Sequence, residues 1–211
     1  MEERIKTAQD YAAVRDWAGY FRAVVGKPAR ETLLKALDAF DAESTPHTPR
    51  FAIDLGCGEG RDTLELLRRG WRVLAIDPHP VGLEMLRARI APSDAPNVEV
   101  REASFAGLSL PTADLINASF CLPFCEPADF PALWGTIVAA IRPGGRFTGQ
   151  FFGERDEWAS IPDRTHHTRA QVDRLLADFV LESLQEEDRD SKTATGEPKH
   201  WHVFHVVARR R

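Results

Sequence analysis

Three alternating glycines, Gly56, Gly58 and Gly60, are the residues that most clearly predict a binding site in this sequence. They follow the apolar run Phe51–Leu55 and precede the leucine-rich residues 64–67, so they mark a turn between a buried strand and a helix. Glycine in such a turn permits positive φ and exposes backbone N–H groups at the start of a helix, where polar or anionic ligands bind favourably. The segment is typical of a loop that binds a nucleotide-type cofactor.

An acidic residue follows at the place where such a fold binds ribose. A second strand is predicted at residues 71–77 and ends in Asp77, 21 residues after Gly56. In a doubly wound fold, a carboxylate at this place accepts hydrogen bonds from ribose hydroxyls, a charge-assisted contact worth about 1.5 to 3 kcal/mol. Asp77 is therefore predicted to bind ribose, and Pro78 to direct the chain beside the adenine.

Three cofactor classes compete for the glycine turn: a P-loop nucleotide, a nicotinamide dinucleotide and S-adenosylmethionine. A P-loop ends in Gly-Lys-Ser/Thr, whereas Arg61 and Asp62 follow Gly60 here. A dinucleotide turn has the spacing G-x-G-x-x-G, whereas this one is G-x-G-x-G. Asp54 and Glu59 beside the turn would repel a pyrophosphate and suit a ligand with an ammonium and a sulfonium. S-adenosylmethionine is favoured.

With these residues, the chain resembles the class I S-adenosylmethionine-dependent methyltransferases over residues 50–209. The resemblance is carried by DLGCGEG at 54–60, AID at 75–77 and IRPGG at 141–145. QFFGERDEW at 150–158 and KHWHVFHVVARR at 199–210 resemble the small bacterial methyltransferases of the tellurite-resistance type, which act on small molecules or have no assigned substrate. The resemblance implies methyl transfer from S-adenosylmethionine, with S-adenosylhomocysteine as the product.

The resemblance also implies the cofactor-binding positions. In the family, the first motif lies along the methionine part, the acidic residue binds ribose, the segment after the third strand borders adenine, and the region after the fourth strand faces the methyl group. The family often has an Asp beside adenine, where this chain offers Glu102 or Ser104. The implied residues are Asp54, Gly56, Cys57, Gly58, Asp77, Pro78, Ala103, Ser104, Phe105, Asn117 and Ser119.

The elements that must position these residues alternate between strand and helix. Strands are predicted at 51–55, 71–77, 98–101, 113–118 and 146–152, and helices after the glycine turn and at 80–90 and 130–141, which indicates a parallel sheet between two helical layers. A helix at 168–179, with a capping box of Thr168 and Gln171, precedes two strands, 180–187 and 201–209, joined by a polar loop at 188–199. Residues 10–40 are predicted as two helical pieces, and residues 41–49 as a linker.

We therefore expect a single α/β domain with a three-layer Rossmann-like methyltransferase fold. Its sheet should be seven-stranded and mostly parallel, with a C-terminal antiparallel hairpin. Residues 1–45 would form an N-terminal helical cover and residues 50–209 the cofactor-binding core.

The acceptor site is predicted beyond the carboxyl ends of the strands. Residues 117–124 read NASFCLPF, without the Asn/Asp-Pro-Pro-Tyr/Phe run that binds a flipped base. Because a sulfonium is an activated methyl donor, alignment of the acceptor matters most, and the fold alone implies no catalytic base. The candidate substrate contacts are Tyr20, Arg22, Arg155 and Trp158, and the weak candidates for a base are His166 and His167, expected in a loop.

The charge and composition of the chain exclude some classes of function. A net charge of −5 provides no general basic field, so a nucleic-acid substrate is disfavoured. The charged N-terminus and the lack of a membrane-length apolar run predict a cytoplasmic protein without a membrane partner. Cys57, Cys121 and Cys125 are expected as buried thiols.

No metal site is predicted, because His200 and His202 on one strand face lack a third ligand with recognisable spacing. Two other functions stay open: a nicotinamide-dependent oxidoreductase, and a non-catalytic protein that binds S-adenosylmethionine or a partner. The oligomeric state and the acceptor, which would be a small molecule, are not specified by the sequence.

Overall fold

The computed structural model describes residues 16–43 and 49–211. The start of the first predicted helical region and residues 44–48 of the predicted linker lie outside the described residues. The helices are α1 Trp17–Val24, α2 Glu31–Asp41, α3 Arg61–Arg68, α4 Pro80–Arg87, α5 Phe130–Ala140 and α6 Arg169–Leu175. The strands are β1 Phe51–Leu55, β2 Arg72–Asp77, β3 Val98–Glu102, β4 Ala113–Ala118, β5 Ile141–Gly153, β6 His166–His167, β7 Phe179–Lys192 and β8 Pro198–Arg210.

The strands form one mixed sheet with the order β3-β2-β1-β4-β5-β8-β7. The first five strands in this order are parallel, and β8 pairs antiparallel with both β5 and β7. The short β6 pairs with β5 and adds an eighth strand. The predicted three-layer Rossmann-like fold, mostly parallel with a C-terminal antiparallel hairpin, is confirmed.

The two faces of the sheet are covered by different helices because successive side chains of a buried strand point to opposite sides. On β1, Ile53 joins a core with Trp134 of α5 and Val172 of α6. Its neighbour Ala52 joins a second core with residues of α2, α3 and α4, among them Leu66. Each helix therefore packs on one face of the sheet. The carboxyl ends of the parallel strands are not covered by these helices and can contact ligands.

The C-terminal hairpin is longer than the sequence predicts. Strands β7 and β8 extend to Lys192 and from Pro198, so that the predicted polar loop at 188–199 shrinks to the turn at 193–197. The charged residues of that segment find partners across the two strands: His200 Nδ1 lies 2.7 Å from Asp190 and its Nε2 lies 2.9 Å from Asp188. Cross-strand pairing of this kind stabilises a strand of polar composition.

Other predicted boundaries shift by a few residues. Strand β5 begins at Ile141, directly after α5, and not at residue 146. Helix α6 ends at Leu175, and its predicted capping box is confirmed, since Thr168 and Gln171 hydrogen-bond reciprocally. In the described part of the chain, no helix has both the length and the apolar character needed to cross a membrane.

Candidate functional site

A cavity of about 550 Å³ lies beyond the carboxyl ends of the parallel strands and has two chemically different ends. The glycine end includes Asp54, Gly56, Cys57, Gly58 and Asp77. The aromatic end includes Phe120, Phe124, Phe152, Trp158 and Trp201. Helix α1 and the hairpin turn at 193–197 also line the cavity.

The glycine loop has the backbone conformation that its sequence predicts. Gly56, Gly58 and Gly60 have φ angles of 64°, 52° and 89°. A Cβ on Gly56 would lie 2.3 Å from the Cβ of Cys121, and one on Gly60 would lie 2.3 Å from Leu86 Cδ1. These glycines therefore permit both the left-handed turn and the close packing of the loop on its neighbours.

Asp77 connects the end of β2 to the glycine loop. Its Oδ2 accepts the N–H of Gly58 at 2.9 Å, and its Oδ1 accepts the N–H of His79 at 2.8 Å. Burial raises the pKa of Asp77, and these two hydrogen bonds oppose the rise. Because each carboxylate oxygen has a second lone pair, Asp77 can accept further hydrogen bonds from the cavity that it lines. Glu59 of the loop is ion-paired with Arg89.

A buried polar network on the core side of the glycine loop holds this loop in place. Asp54 accepts from Thr63 Oγ1 at 2.6 Å and from Asn117 Nδ2 at 2.8 Å. The same Asn117 nitrogen lies 3.0 Å from Asp62, and Asn117 Oδ1 accepts from Thr148 at 2.7 Å. Burial, and then the charge of Asp62, raise the pKa of Asp54 to about 7. Asn117 does not line the cavity, so its structural role is to position Asp54 and Asp62.

The other predicted cofactor residues separate into two groups. Pro78, Phe105 and Ser119 line the cavity. Ala103 and Ser104 do not line it, although they follow β3 as predicted. The third strand end therefore contributes to the cavity through Phe105.

The aromatic end begins with a residue in an unusual conformation. Phe120 has a φ of 54° and is, among the described residues, the one non-glycine with positive φ. Its N–H donates to Gln150 Oε1 at 2.9 Å, and the guanidinium of Arg30 lies 4.3 Å from its ring centroid. Strain of this kind costs about 1 to 3 kcal/mol and tends to occur at functional sites.

A buried ion pair supports the two tryptophans of the aromatic end. Lys199 Nζ lies 2.5 Å from Asp156 Oδ1, and both side chains are fully buried. The same nitrogen lies 3.8 Å from the ring centroid of Trp201 and 4.5 Å from that of Trp158. Burial lowers the pKa of Lys199, and the hydrogen bond to Asp156 opposes this. Asp156 also accepts the N–H of His202 at 3.1 Å, which ties the pair to β8.

Of the predicted substrate contacts, Tyr20 and Trp158 line the cavity, whereas Arg22 and Arg155 do not. Arg22 is exposed on α1. Trp158 was among the predicted contacts, and Phe120 and Phe124 lie in the segment 117–124 after the fourth strand, whereas Trp201 and Lys199 were not predicted from the sequence. Their signal was the KHWH alternation at 199–202, which places Lys199 and Trp201 on the same face of one strand.

Arg155 lies in a polar cluster on the hairpin, outside the cavity wall. Its guanidinium donates to Asp188 at 2.7 Å and to Glu186 at 2.9 Å, and Nη2 lies 3.0 Å from His202 Nε2. Ligand atoms of Glu186, Asp188 and His202 lie within 4.8 Å of one another, close enough for a metal site. The cation among these atoms is the guanidinium of Arg155.

His166 and His167 form β6 and are packed, which corrects the expectation of an exposed loop. The ring of His167 lies 4.7 Å from that of Phe130, and burial lowers the pKa of His167 to about 4. His166 Nδ1 lies 3.2 Å from the carbonyl oxygen of Arg164, so it carries the proton of that hydrogen bond. Neither histidine lines the cavity.

The three cysteines are buried free thiols, as predicted. Burial raises the pKa of Cys57 and of Cys121 well above the usual range, and that of Cys125 to about 11. These thiols are therefore protonated and unreactive at neutral pH.

Comparisons with known proteins agree with this geometry. A family model described as "Methyltransferase domain" matches residues 52–145. A carboxy-S-adenosyl-L-methionine synthase from Klebsiella pneumoniae (strain 342) is 35% identical over 97 residues, which are 44% of this chain and 39% of that protein. The chain thus spans about two fifths of the length of this curated relative.

Two solved structures share the fold. TehB from Haemophilus influenzae matches with a TM-score of 0.69 and 16% identity, over 84% of this chain and 62% of TehB. The 1,6-didemethyltoxoflavin-N1-methyltransferase from Burkholderia thailandensis, solved with 1,6-didemethyltoxoflavin and S-adenosylhomocysteine, matches with a TM-score of 0.67 and 23% identity, over 100% and 93% of the two chains.

Proposed function

We propose that this chain, which has the domain and fold of the class I S-adenosylmethionine-dependent methyltransferases, transfers a methyl group from S-adenosylmethionine to a small molecule. The observation that carries the proposal is the continuous cavity, which runs from the glycine loop and Asp77 to a separate aromatic end. Such an arrangement places a cofactor and an acceptor side by side. The small-molecule acceptor is also in keeping with the 1,6-didemethyltoxoflavin bound to the Burkholderia thailandensis methyltransferase.

The residues of the glycine end fit S-adenosylmethionine. The left-handed turn at Gly56 and Gly58 brings backbone groups to the cavity wall, and Asp77 has lone pairs for two ribose hydroxyls. Asp54 lines the cavity, and a positively charged group of the ligand beside it would favour its ionised form. Arg61, the first residue of α3, lines the cavity without an ion-pair partner among the described residues, and it is available for the carboxylate of the methionine part.

When bound, S-adenosylmethionine supplies a methyl carbon on a positively charged sulfur. The acceptor forms a bond to that carbon, the C–S bond breaks, and its electron pair stays on sulfur. The chain itself aligns the acceptor and excludes water, and alignment contributes up to about 7 to 11 kcal/mol in favourable cases. Helix α1 is suited to excluding water because its Trp17 lies between the two ends of the cavity. The ring centroid of Trp17 lies 5.2 Å from that of His79 and 4.9 Å from that of Phe124.

The proposal assigns no general base. His166 and His167 lie outside the cavity wall, and an ionised or neutral nucleophile attacks without prior proton transfer. An acceptor that carries a proton at neutral pH would release it to solvent. We further propose that residues 1–45 form a cover for the core at 50–209, that nucleic acid is not the acceptor, and that the protein is cytoplasmic, in keeping with its three free thiols.

Calorimetry with S-adenosylhomocysteine, S-adenosylmethionine and NAD tests the choice of cofactor. We expect both adenosyl ligands to bind at one site and NAD not to bind, because the loop lacks dinucleotide spacing. Tight NAD binding without adenosyl-ligand binding would support an oxidoreductase instead. Release of S-adenosylhomocysteine in the presence of acceptor thiols, phenols, amines or oxyanions would distinguish a transferase from a protein that only binds the cofactor.

A further inference from the structure

We infer that the aromatic end accepts a flat aromatic molecule that is neutral or anionic and carries a hydrogen-bond acceptor on its ring edge. This inference rests on the proposed methyl transfer and names its acceptor class. Its first support is the wall itself, in which rings lie at steep angles to one another. Trp158 and Trp201 have centroids 5.7 Å apart at 59°, and Phe120 and Phe152 are 6.4 Å apart at 66°. Such a wall offers both faces and edges to another flat ring.

The second support is an unpaired donor in this wall. The indole Nε1 of Trp158 is buried and has no hydrogen-bond partner among the described residues, although Trp158 lines the cavity. A buried donor without a partner costs about 1 to 3 kcal/mol. Because this nitrogen is inaccessible in the structure, a heteroatom on the edge of a bound ring would satisfy it once the indole turns toward the cavity, whereas a plain hydrocarbon would not.

The third support is the charge behind the rings. Arg30 lies 4.3 Å from the centroid of Phe120, and its Nη2 lies 3.4 Å from Tyr20 Oη. Arg30 forms no ion pair with a carboxylate in the described part of the chain. Lys199 lies against the two tryptophans but is neutralised by Asp156. The positive charge of Arg30 beside the Phe120 ring disfavours a cationic acceptor there and favours a neutral or anionic one.

The shape of the acceptor is tested by calorimetry on the full chain with saturating S-adenosylhomocysteine. 2-Naphthol and decahydro-2-naphthol are matched neutral alcohols that differ in flatness and in π electrons. We expect 2-naphthol to bind at least tenfold more tightly, because the rings of the wall favour aromatic contact. Equal affinities, or no binding of 2-naphthol at millimolar concentration, would overturn the inference. If S-adenosylhomocysteine itself does not bind, the proposed function fails instead.

The role of Trp158 is tested with 6-hydroxyquinoline, which adds a ring nitrogen to the naphthol frame. We expect it to bind the wild-type protein at least fivefold more tightly than 2-naphthol. Trp158→Phe keeps a ring and removes the N–H, so it should abolish this difference and leave the preference for 2-naphthol over its saturated partner. Its unchanged affinity for S-adenosylhomocysteine is the folding control. A quinoline preference that survives in Trp158→Phe would contradict the assigned hydrogen bond.

The charge preference is tested with naphthalene-2-carboxylate and naphthalen-2-ylmethanamine, an anion and a cation at neutral pH. We expect the carboxylate to bind at least fivefold more tightly to the wild-type protein. Arg30→Met should bring the two affinities within twofold, because it removes the positive charge. The backbone N–H that Arg30 donates to Asp62 is retained, so the local structure should be preserved. Tighter binding of the amine to the wild-type protein would overturn the charge preference.

Discussion

The glycine end and the aromatic end of the cavity are built in different ways. At the glycine end, the segment 54–63 supplies the left-handed glycines and the centre of a buried network, Asp54, which Asn117 of β4 also joins. At the aromatic end, rings come from the ends of β4 and β5, the turn after β5, and β8, and the Lys199–Asp156 pair holds two of them in place. The glycine end is therefore specified mostly by one segment of the sequence, whereas the aromatic end depends on residues that only the tertiary structure brings together.

Lys199→Met should give the largest effect and should separate the two ends. It leaves Asp156 buried without its partner, and breaking a buried ion pair in this way costs about 3 to 5 kcal/mol. Urea unfolding measures this loss. The folded variant should still bind S-adenosylhomocysteine with nearly wild-type affinity, because Lys199 does not contact the glycine end.

The matched control is Lys199→Met combined with Asp156→Asn, which removes both charges and keeps one acceptor oxygen for the backbone N–H groups of Trp158 and His202. We expect the double variant to be more stable than Lys199→Met alone. Unchanged stability of Lys199→Met would show that the ion pair does not support the aromatic end.

Gly56→Ala should damage the glycine end in both stability and cofactor binding. A left-handed alanine costs about 1 to 2 kcal/mol, and overpacking against Cys121 adds about 1 to 3 kcal/mol. The control is Gly70→Ala, at φ 77° with no heavy atom within 4 Å of the added Cβ. Gly70→Ala should show the backbone cost alone and bind S-adenosylhomocysteine normally. Equal effects of the two substitutions in urea unfolding and calorimetry would rule out a packing role for Gly56.

Asp54→Asn should change how stability depends on pH. The pKa of Asp54 rises from an ordinary value near 3.8 to about 7 on folding, so the folded protein retains a proton that the unfolded chain releases. Its contribution to stability is fully present below about pH 4 and is lost as the pH rises to about 7. Between pH 5 and pH 8 the wild-type protein should lose about 1 to 3 kcal/mol more than Asp54→Asn.

Urea unfolding at both pH values measures this difference. Asp114→Asn is the control. Asp114 accepts a hydrogen bond from the N–H of Phe51 at the amino ends of β1 and β4, opposite the end that contains Asp54. It should keep the wild-type pH dependence. Parallel pH profiles for Asp54→Asn and the wild-type protein would contradict the buried, protonated state of Asp54.

The same contrast explains what the sequence could predict. The turn at 54–60, Asp77 and the alternating strands are local signals; the fold inferred from them is confirmed, and the methyltransferase-domain model matches residues 52–145. The predicted length of the hairpin was wrong. The charged residues of β7 have partners on β8, such as His200, and only the pairing register shows this. The aromatic end was predicted only in part: Trp158 was named, but the left-handed Phe120 and the buried Lys199 depend on contacts with distant residues.

One titration tests the two-ended account most directly: calorimetry of S-adenosylhomocysteine with the wild-type protein, Asp77→Asn and Trp158→Phe. The account predicts saturable one-site binding to the wild-type protein and a loss of about tenfold or more in Asp77→Asn, since a charge-assisted hydrogen bond is worth about 1.5 to 3 kcal/mol. It predicts an affinity within about twofold of wild type for Trp158→Phe, which alters the other end. No binding to the wild-type protein, or equal losses in both variants, would contradict the account.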